Sequence, residues 1–174
     1  MAQAAFEGNI YLIGFMGAGK STVSACFSEK YGMTRVEMDQ MIVDRQGISI
    51  PEIFEQYGES HFRDLESALL RELGRSAQNV VSCGGGVVVR AENIDCMKKT
   101  GRVVLLTASP ETILERVKDN TDRPILNGHM NVEFISELME KRREMYLAAA
   151  DLVIATDGKS AEEICGEILA KLAE

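Results

Sequence analysis

Residues Asn9–Thr22 read NIYLIGFMGAGKST, and within them Gly14, Gly19, Lys20 and Ser21 stand at the spacing G-x-x-x-x-G-K-[ST]. This spacing constrains the fold tightly, because it works only where a strand enters a glycine turn and leaves it as a helix. An apolar run precedes it here and a helical pattern follows. Glycines let several backbone N–H groups converge on one anion that side chains would block. The next helix adds the positive end of its dipole. Gly17, Ala18, Gly19, Lys20, Ser21 and Thr22 are therefore expected to bind the phosphates of ATP. Lys20 would reach the β- and γ-phosphates, and the Ser21 hydroxyl would ligate Mg2+.

Apolar runs alternate with amphipathic stretches along the rest of the chain, the pattern of a parallel sheet covered by helices. Strands are expected at Asn9–Gly14, Arg35–Met38, Asn79–Cys83, Arg102–Thr107 and Leu152–Ile154. Ser49 and Glu52 form a capping box with Pro51 between them. Ser109-Pro110 opens another helix, and Ser160 with Glu163 opens the last. Glu59–Arg75 carries Phe62, Leu65, Leu69, Leu70 and Leu73 on one helical face. The polar stretch Lys118–Asn131, with Pro124 inside, reads as a mobile loop between two helices. The 174 residues fit one domain, expected to span 1–174.

The net charge of −8 argues against nucleic acid, whose binding needs phosphate neutralisation. It does not exclude a nucleotide, which needs only a few cations held in one place. No apolar run reaches membrane-spanning length. The opening MAQAAFEGNIYLIG lacks a basic region ahead of an apolar one, so no leader is expected. Cys26, Cys83, Cys96 and Cys165 have no metal-ligand spacing and read as small buried hydrophobes. Their scatter fits a reducing, cytoplasmic setting.

Two further features bear on chemistry. The third strand runs into Gly84-Gly85-Gly86 where many phosphate-loop proteins place a metal-binding Asp. Three glycines there allow a ligand to approach backbone at the sheet edge, or they form a plain flexible turn. Glu37-Met38-Asp39 closes the second strand, and alternation would point both acids at the phosphates. Such a pair can hold metal water or take a proton from an attacking hydroxyl; Asp39 can equally be a helix cap. Asp44-Arg45-Gln46-Gly47 matches DxxG but lies in a helical pattern, and no guanine-reading [NT]KxD occurs. Arg63, Arg123 and Arg142 are each more often solvated charges. Arg123 stands apart because loop closure could deliver it to a transferring phosphoryl group. His129 in that loop reads as exposed, and His61 as packing or capping at the start of its helix.

Taken in order, GFMGAGKST, the acid pair, GESHFRDLE, SCGGGVV, NTDRP and KRREMY resemble the shikimate kinase family over nearly the whole chain. The resemblance implies a three-layer α/β/α kinase fold with a five-stranded parallel sheet in the order 2-3-1-4-5. A lid would cover about 118–131, and the substrate-binding region about 37–75. It implies transfer of the ATP γ-phosphoryl group to the 3-hydroxyl of shikimate, with Mg2+, by a cytoplasmic monomer that binds neither nucleic acid nor membrane. Asp39, Lys20 and Arg123 would be catalytic. Asp39 would hold the shikimate hydroxyls, Arg63 and Arg142 the carboxylate, and Gly84, Gly85 and Gly86 would line the ring. Arg116, Arg123 and Lys159 would join the phosphate loop in binding ATP, with Arg116 and Thr156–Ser160 flanking the adenine. The family usually carries Asp-x-Asp where this chain has Glu37-Met38-Asp39, so a water-mediated role of Glu37 toward Mg2+ stays open.

Overall fold

Alternation along the central strand sorts its side chains into two cores. β1 (Asn9–Ile13) is buried at every position. Ile10 and Leu12 join Val80, Val104 and Leu106 on one face, while Tyr11 and Ile13 join Val81, Val103 and Leu105 on the other. A strand buried on both faces has to be apolar throughout, which is why these runs lack a polar alternation.

The computed structural model describes residues 6–118 and 131–174. β1 pairs in parallel with β3 (Asn79–Ser82) and β4 (Gly101–Thr107). β2 (Thr34–Glu37) lies outside β3 and β5 (Leu152–Ala155) outside β4, giving the order β2-β3-β1-β4-β5. Buried side chains of α1 (Lys20–Tyr31), α6 (Pro110–Val117) and α8 (Ala161–Leu172) pack on the first face. Those of α2 (Met38–Gln46), α3 (Ile50–Tyr57), α4 (Glu59–Leu73) and α5 (Ala91–Thr100) pack on the second. α7 (Val132–Ala149) contributes Ile135 to the first core and Tyr146 and Ala149 to the second. Each fully buried Ile or Leu in these layers contributes about 1.5–3 kcal/mol. The expected three-layer α/β fold and strand order are present.

Local chemistry explains the helix starts. Ser49 and Glu52 make the reciprocal capping box, and Ser109 and Ser160 accept from the N–H three residues on. The buried polar cluster at the foot of the sheet is also satisfied. Asn9 Oδ1 accepts from Asn79 N at 2.9 Å, and its Nδ2 donates to Ser76 O at 3.0 Å. That ties the β1 and β3 starts in register.

Each strand differs from expectation by a residue at one end or both, and two of these shifts bear on the site. β1 stops at Ile13 because Gly14 turns the chain at φ 146°. β2 ends at Glu37, and Met38, fully buried, opens α2 instead of closing the strand. Strand alternation therefore does not relate Glu37 to Asp39. Nor does Asp39 cap α2: Glu37 holds that position, and Asp39 lies in the first turn.

Candidate active site

The turn after β1 forms a cradle for an anion. Gly17 and Gly19 adopt left-handed φ values of 79° and 108° that favour glycine. A Cβ on Gly17 would stand 2.8 Å from Val117 of α6, so the loop also needs glycine to pack. Gly19 begins α1 without a side-chain cap, which leaves the helix's first N–H groups to a ligand. The Lys20 ammonium folds back to donate to the carbonyls of Gly14 and Phe15. Arg116 donates to Gly17 O at 2.9 Å and to Thr156 Oγ1 at 3.1 Å. Thr156, fully buried, also bonds Ala18 O and Thr107 O, so it fastens the loop to the sheet.

The oxygen donors beside Lys20 fit a hard cation. Ser21 Oγ donates to Glu37 Oε2 at 3.0 Å. Mg2+ favours a few such oxygens plus phosphate and water over an all-protein cage. Among the described residues there is no cluster of three or more His, Cys, Asp or Glu that would form one. Ser21 with Glu37 behind it matches the sparse kind of site.

The loop after β3 forms the other end of the site, and each of its glycines makes room for a different side chain. A Cβ on Gly84 would stand 2.7 Å from Asp39 Oδ1 and 2.9 Å from Glu66 Oε2. One on Gly85 would meet Arg142 Nη1 at 3.0 Å. One on Gly86 would collide with the Arg63 guanidinium. Arg63 Nη1 donates to the buried Glu66 at 2.6 Å. Tyr146, one turn beyond Arg142 on α7, donates to Gly85 O at 2.7 Å. Burial pushes the Glu66 carboxyl above its ordinary 4.5; the Arg63 hydrogen bond opposes that and the neighbouring Asp39 adds to it. Glu66 Oε2 is the one buried side-chain polar atom among the described residues with no hydrogen-bond partner. Burial likewise raises the Tyr146 hydroxyl, against a lowering hydrogen bond from Arg142.

Both ends line one cleft of about 1200 Å³ that includes Lys20, Ser21, Asp39, Gly84–Gly86, Arg63, Arg142, Arg116 and Lys159. A pocket for one small ligand usually measures about 300–1000 Å³, so this cleft is larger than one such ligand needs. Glu37 touches the phosphate end through Ser21 while Asp39 abuts Gly84, so the end of β2 joins the two.

The structure thus gathers all the candidate residues except Arg123, which, like His129 and most of the expected lid, lies outside the described residues. Of that stretch, Lys118 closes α6 and Asn131 caps α7. Lys159 lines the cleft and pairs with Glu167 at 2.8 Å. His61 packs its ring 4.9 Å from Tyr57. Cys26, Cys83 and Cys165 are buried, as small hydrophobes would be, and Cys96 is half-buried. Sequence reading missed Glu66, Tyr146 and Arg35, which lines the cleft and donates to Glu37 Oε1 at 2.9 Å. Glu66 carried a signal: it sits four residues after Phe62 and three before Leu69, a charge on the apolar stripe of α4.

Comparison with known proteins points to one family. A family model described as shikimate kinase matches residues 16–173. A shikimate kinase of Dehalococcoides mccartyi is 43% identical over 168 residues, covering 97% of this chain and 95% of that one. One of Geobacter sulfurreducens is 46% identical over 160 residues, covering 92% and 88%. The solved structure of shikimate kinase from Acinetobacter baumannii in complex with shikimate superposes with a TM-score of 0.87. It is 34% identical, and the match covers 95% of this chain and 93% of that one.

Proposed function

We propose a mechanism from one premise: this chain belongs to the shikimate kinase family. It is an ATP-dependent kinase that phosphorylates the 3-hydroxyl of shikimate, giving shikimate 3-phosphate and ADP on the route to aromatic amino acids. The observation that carries the mechanism is the shared cleft, with a phosphate cradle at one end and two arginines over a glycine triplet at the other.

ATP is assigned to the Gly17–Thr22 cradle, with Lys20 on the β- and γ-phosphates and Arg116 and Lys159 toward the base. Ser21, with Glu37 behind it, would hold Mg2+, which would supply charge neutralisation for the transferring phosphates. Shikimate is assigned to the triplet. Arg63 and Arg142 hold its carboxylate, a pairing suited to planar forks. Asp39 orients the 3-hydroxyl and takes its proton as the hydroxyl oxygen bonds the γ-phosphorus and the bond to the β-phosphate oxygen breaks. Arg123 is assigned to the transferred phosphoryl group from sequence alone. Among the described residues no helix is long and apolar enough to cross a membrane; one cytoplasmic, monomeric domain is our reading of the chain.

The test is ADP release with shikimate, gluconate or AMP as acceptor. Release above background is expected with shikimate alone; equal rates with gluconate or AMP would overturn the substrate assignment. Asp39→Asn keeps the shape without the base, so turnover should fall about 10²–10⁴-fold.

A further inference from the structure

We propose that Arg35 is a positioning residue for the metal side of the phosphate site. It fixes the Glu37 carboxylate so that the Ser21 hydroxyl turns its lone pairs to a divalent cation. The inference rests on the assignment of Mg2+ to Ser21 above.

The geometry follows from the edge strand. Arg35 and Glu37 are two residues apart on β2 and share one face, while Val36 is buried in the second core. That face meets α1, where Ser21 and Ser24 lie one turn apart on the same side of the helix. Glu37 Oε1 receives Arg35 Nη2 at 2.9 Å and Nε at 3.2 Å. Ser24 Oγ stands 3.0 Å from the same oxygen, and Ser24 is fully buried. Arg35 Nη2 also donates to Ser21 O at 3.3 Å. With Oε1 held this way, Oε2 is turned to Ser21 Oγ at 3.0 Å.

A serine hydroxyl has one proton and two lone pairs. Donating the proton to Glu37 leaves both lone pairs for a cation on the cleft side. Glutamate has a longer, more rotatable stem than aspartate, and an unanchored one would spread over several rotamers. The Arg35 fork and Ser24 remove that freedom. A positive charge near a cation also repels it, but the Arg35 side chain is 42% exposed and bonds Oε1 rather than Oε2. Solvent and salt screen an exposed charge, so orientation outweighs repulsion.

The experiment is calorimetric titration of ADP with and without Mg2+, in the unchanged chain, Arg35→Met, Glu37→Gln and the double variant. The Mg2+-dependent gain in ADP affinity is expected to drop about tenfold in Arg35→Met, the lower end of losses for an outer partner. ADP affinity without Mg2+ and the unfolding midpoint should stay the same. Glu37→Gln should lose a similar amount, and the double variant no more than Glu37→Gln, because Arg35 acts through Glu37. Arg35→Lys, with the charge but not the fork, should fall between. An unchanged or tighter Mg2+ response in Arg35→Met, or additive losses in the double variant, overturns the proposal. Shikimate-dependent turnover of the unchanged chain, measured alongside, tests the functional reading separately. If the unchanged chain turns over shikimate yet shows no Mg2+ gain, the Mg2+ assignment and Arg35's role fall together while the kinase reading stands.

Discussion

The two ends of the cleft are built in opposite ways. At the phosphate end the cradle is backbone and one lysine from the contiguous stretch Gly14–Thr22, with Arg116 and Lys159 beside it. Its glycines have positive φ values, and Gly14 and Gly17 also leave no room for a Cβ. At the triplet end the recognising groups are side chains from α2, α4 and α7 that converge on Gly84, Gly85 and Gly86. None of those three has a left-handed φ, so space for the facing side chains is their sole requirement here. A backbone cradle tolerates few changes but serves any nucleotide. A side-chain pocket fits one shape, and each of its members can be altered separately.

Substitutions can break or sharpen that contrast. Lys20→Ala removes a cradle donor to the charge that develops on the phosphates, so turnover should drop about 10²–10³-fold while the fold survives. Steady-state rates with saturating shikimate and a melting curve check both halves. Next in size is Gly86→Ala. The added Cβ displaces the Arg63 guanidinium, which is the far end of a flexible side chain, so stability should change little. The shikimate KM should rise about tenfold, or 1.4 kcal/mol, with the ATP KM unmoved. A shared rise in both constants would show that the ends are not separate.

Tyr146→Phe is gentler. It removes the hydrogen bond to Gly85 O and should destabilise by about 1 kcal/mol in denaturant unfolding. The smallest effect concerns pH. Glu66 in the folded chain keeps its proton above the ordinary value of 4.5, so the folded state binds more protons than the unfolded one. Its contribution to stability is greatest below 4.5 and is lost as pH rises through the raised folded value. Glu66→Gln should flatten that fall. Identical pH slopes in the two proteins would remove Glu66 as its source.

The same contrast governs what could be read from sequence. The cradle was legible because Gly14, Gly19, Lys20 and Ser21 are set by local spacing. The sheet was legible because its strands are apolar on both faces. The triplet end was visible only in parts: Arg63 and Arg142 look like ordinary surface charges until the fold brings them to Gly86 and Gly85, and the family resemblance supplied that link. Tyr146 was missed since its partner Gly85 lies across the fold. Glu66, which pairs with Arg63 on its own helix, was missed because its charge on the apolar stripe of α4 was not read as a buried one. Arg35 was missed because an exposed arginine on an edge strand looks like solvent-facing charge. Asp39 was placed at the cleft for the wrong local reason, strand alternation, when the first turn of α2 puts it there.

Phosphorus NMR of the product formed from ATP and shikimate examines the convergence on the glycine triplet most directly. If Asp39 at Gly84 orients the 3-hydroxyl while Arg63 and Arg142 hold the carboxylate, the product should show one new phosphomonoester coupled to the ring proton at C3. Arg63→Met should slow its formation without moving the ester. A phosphoryl group on another hydroxyl, or inorganic phosphate as the sole product, would contradict the placement of shikimate in this cleft.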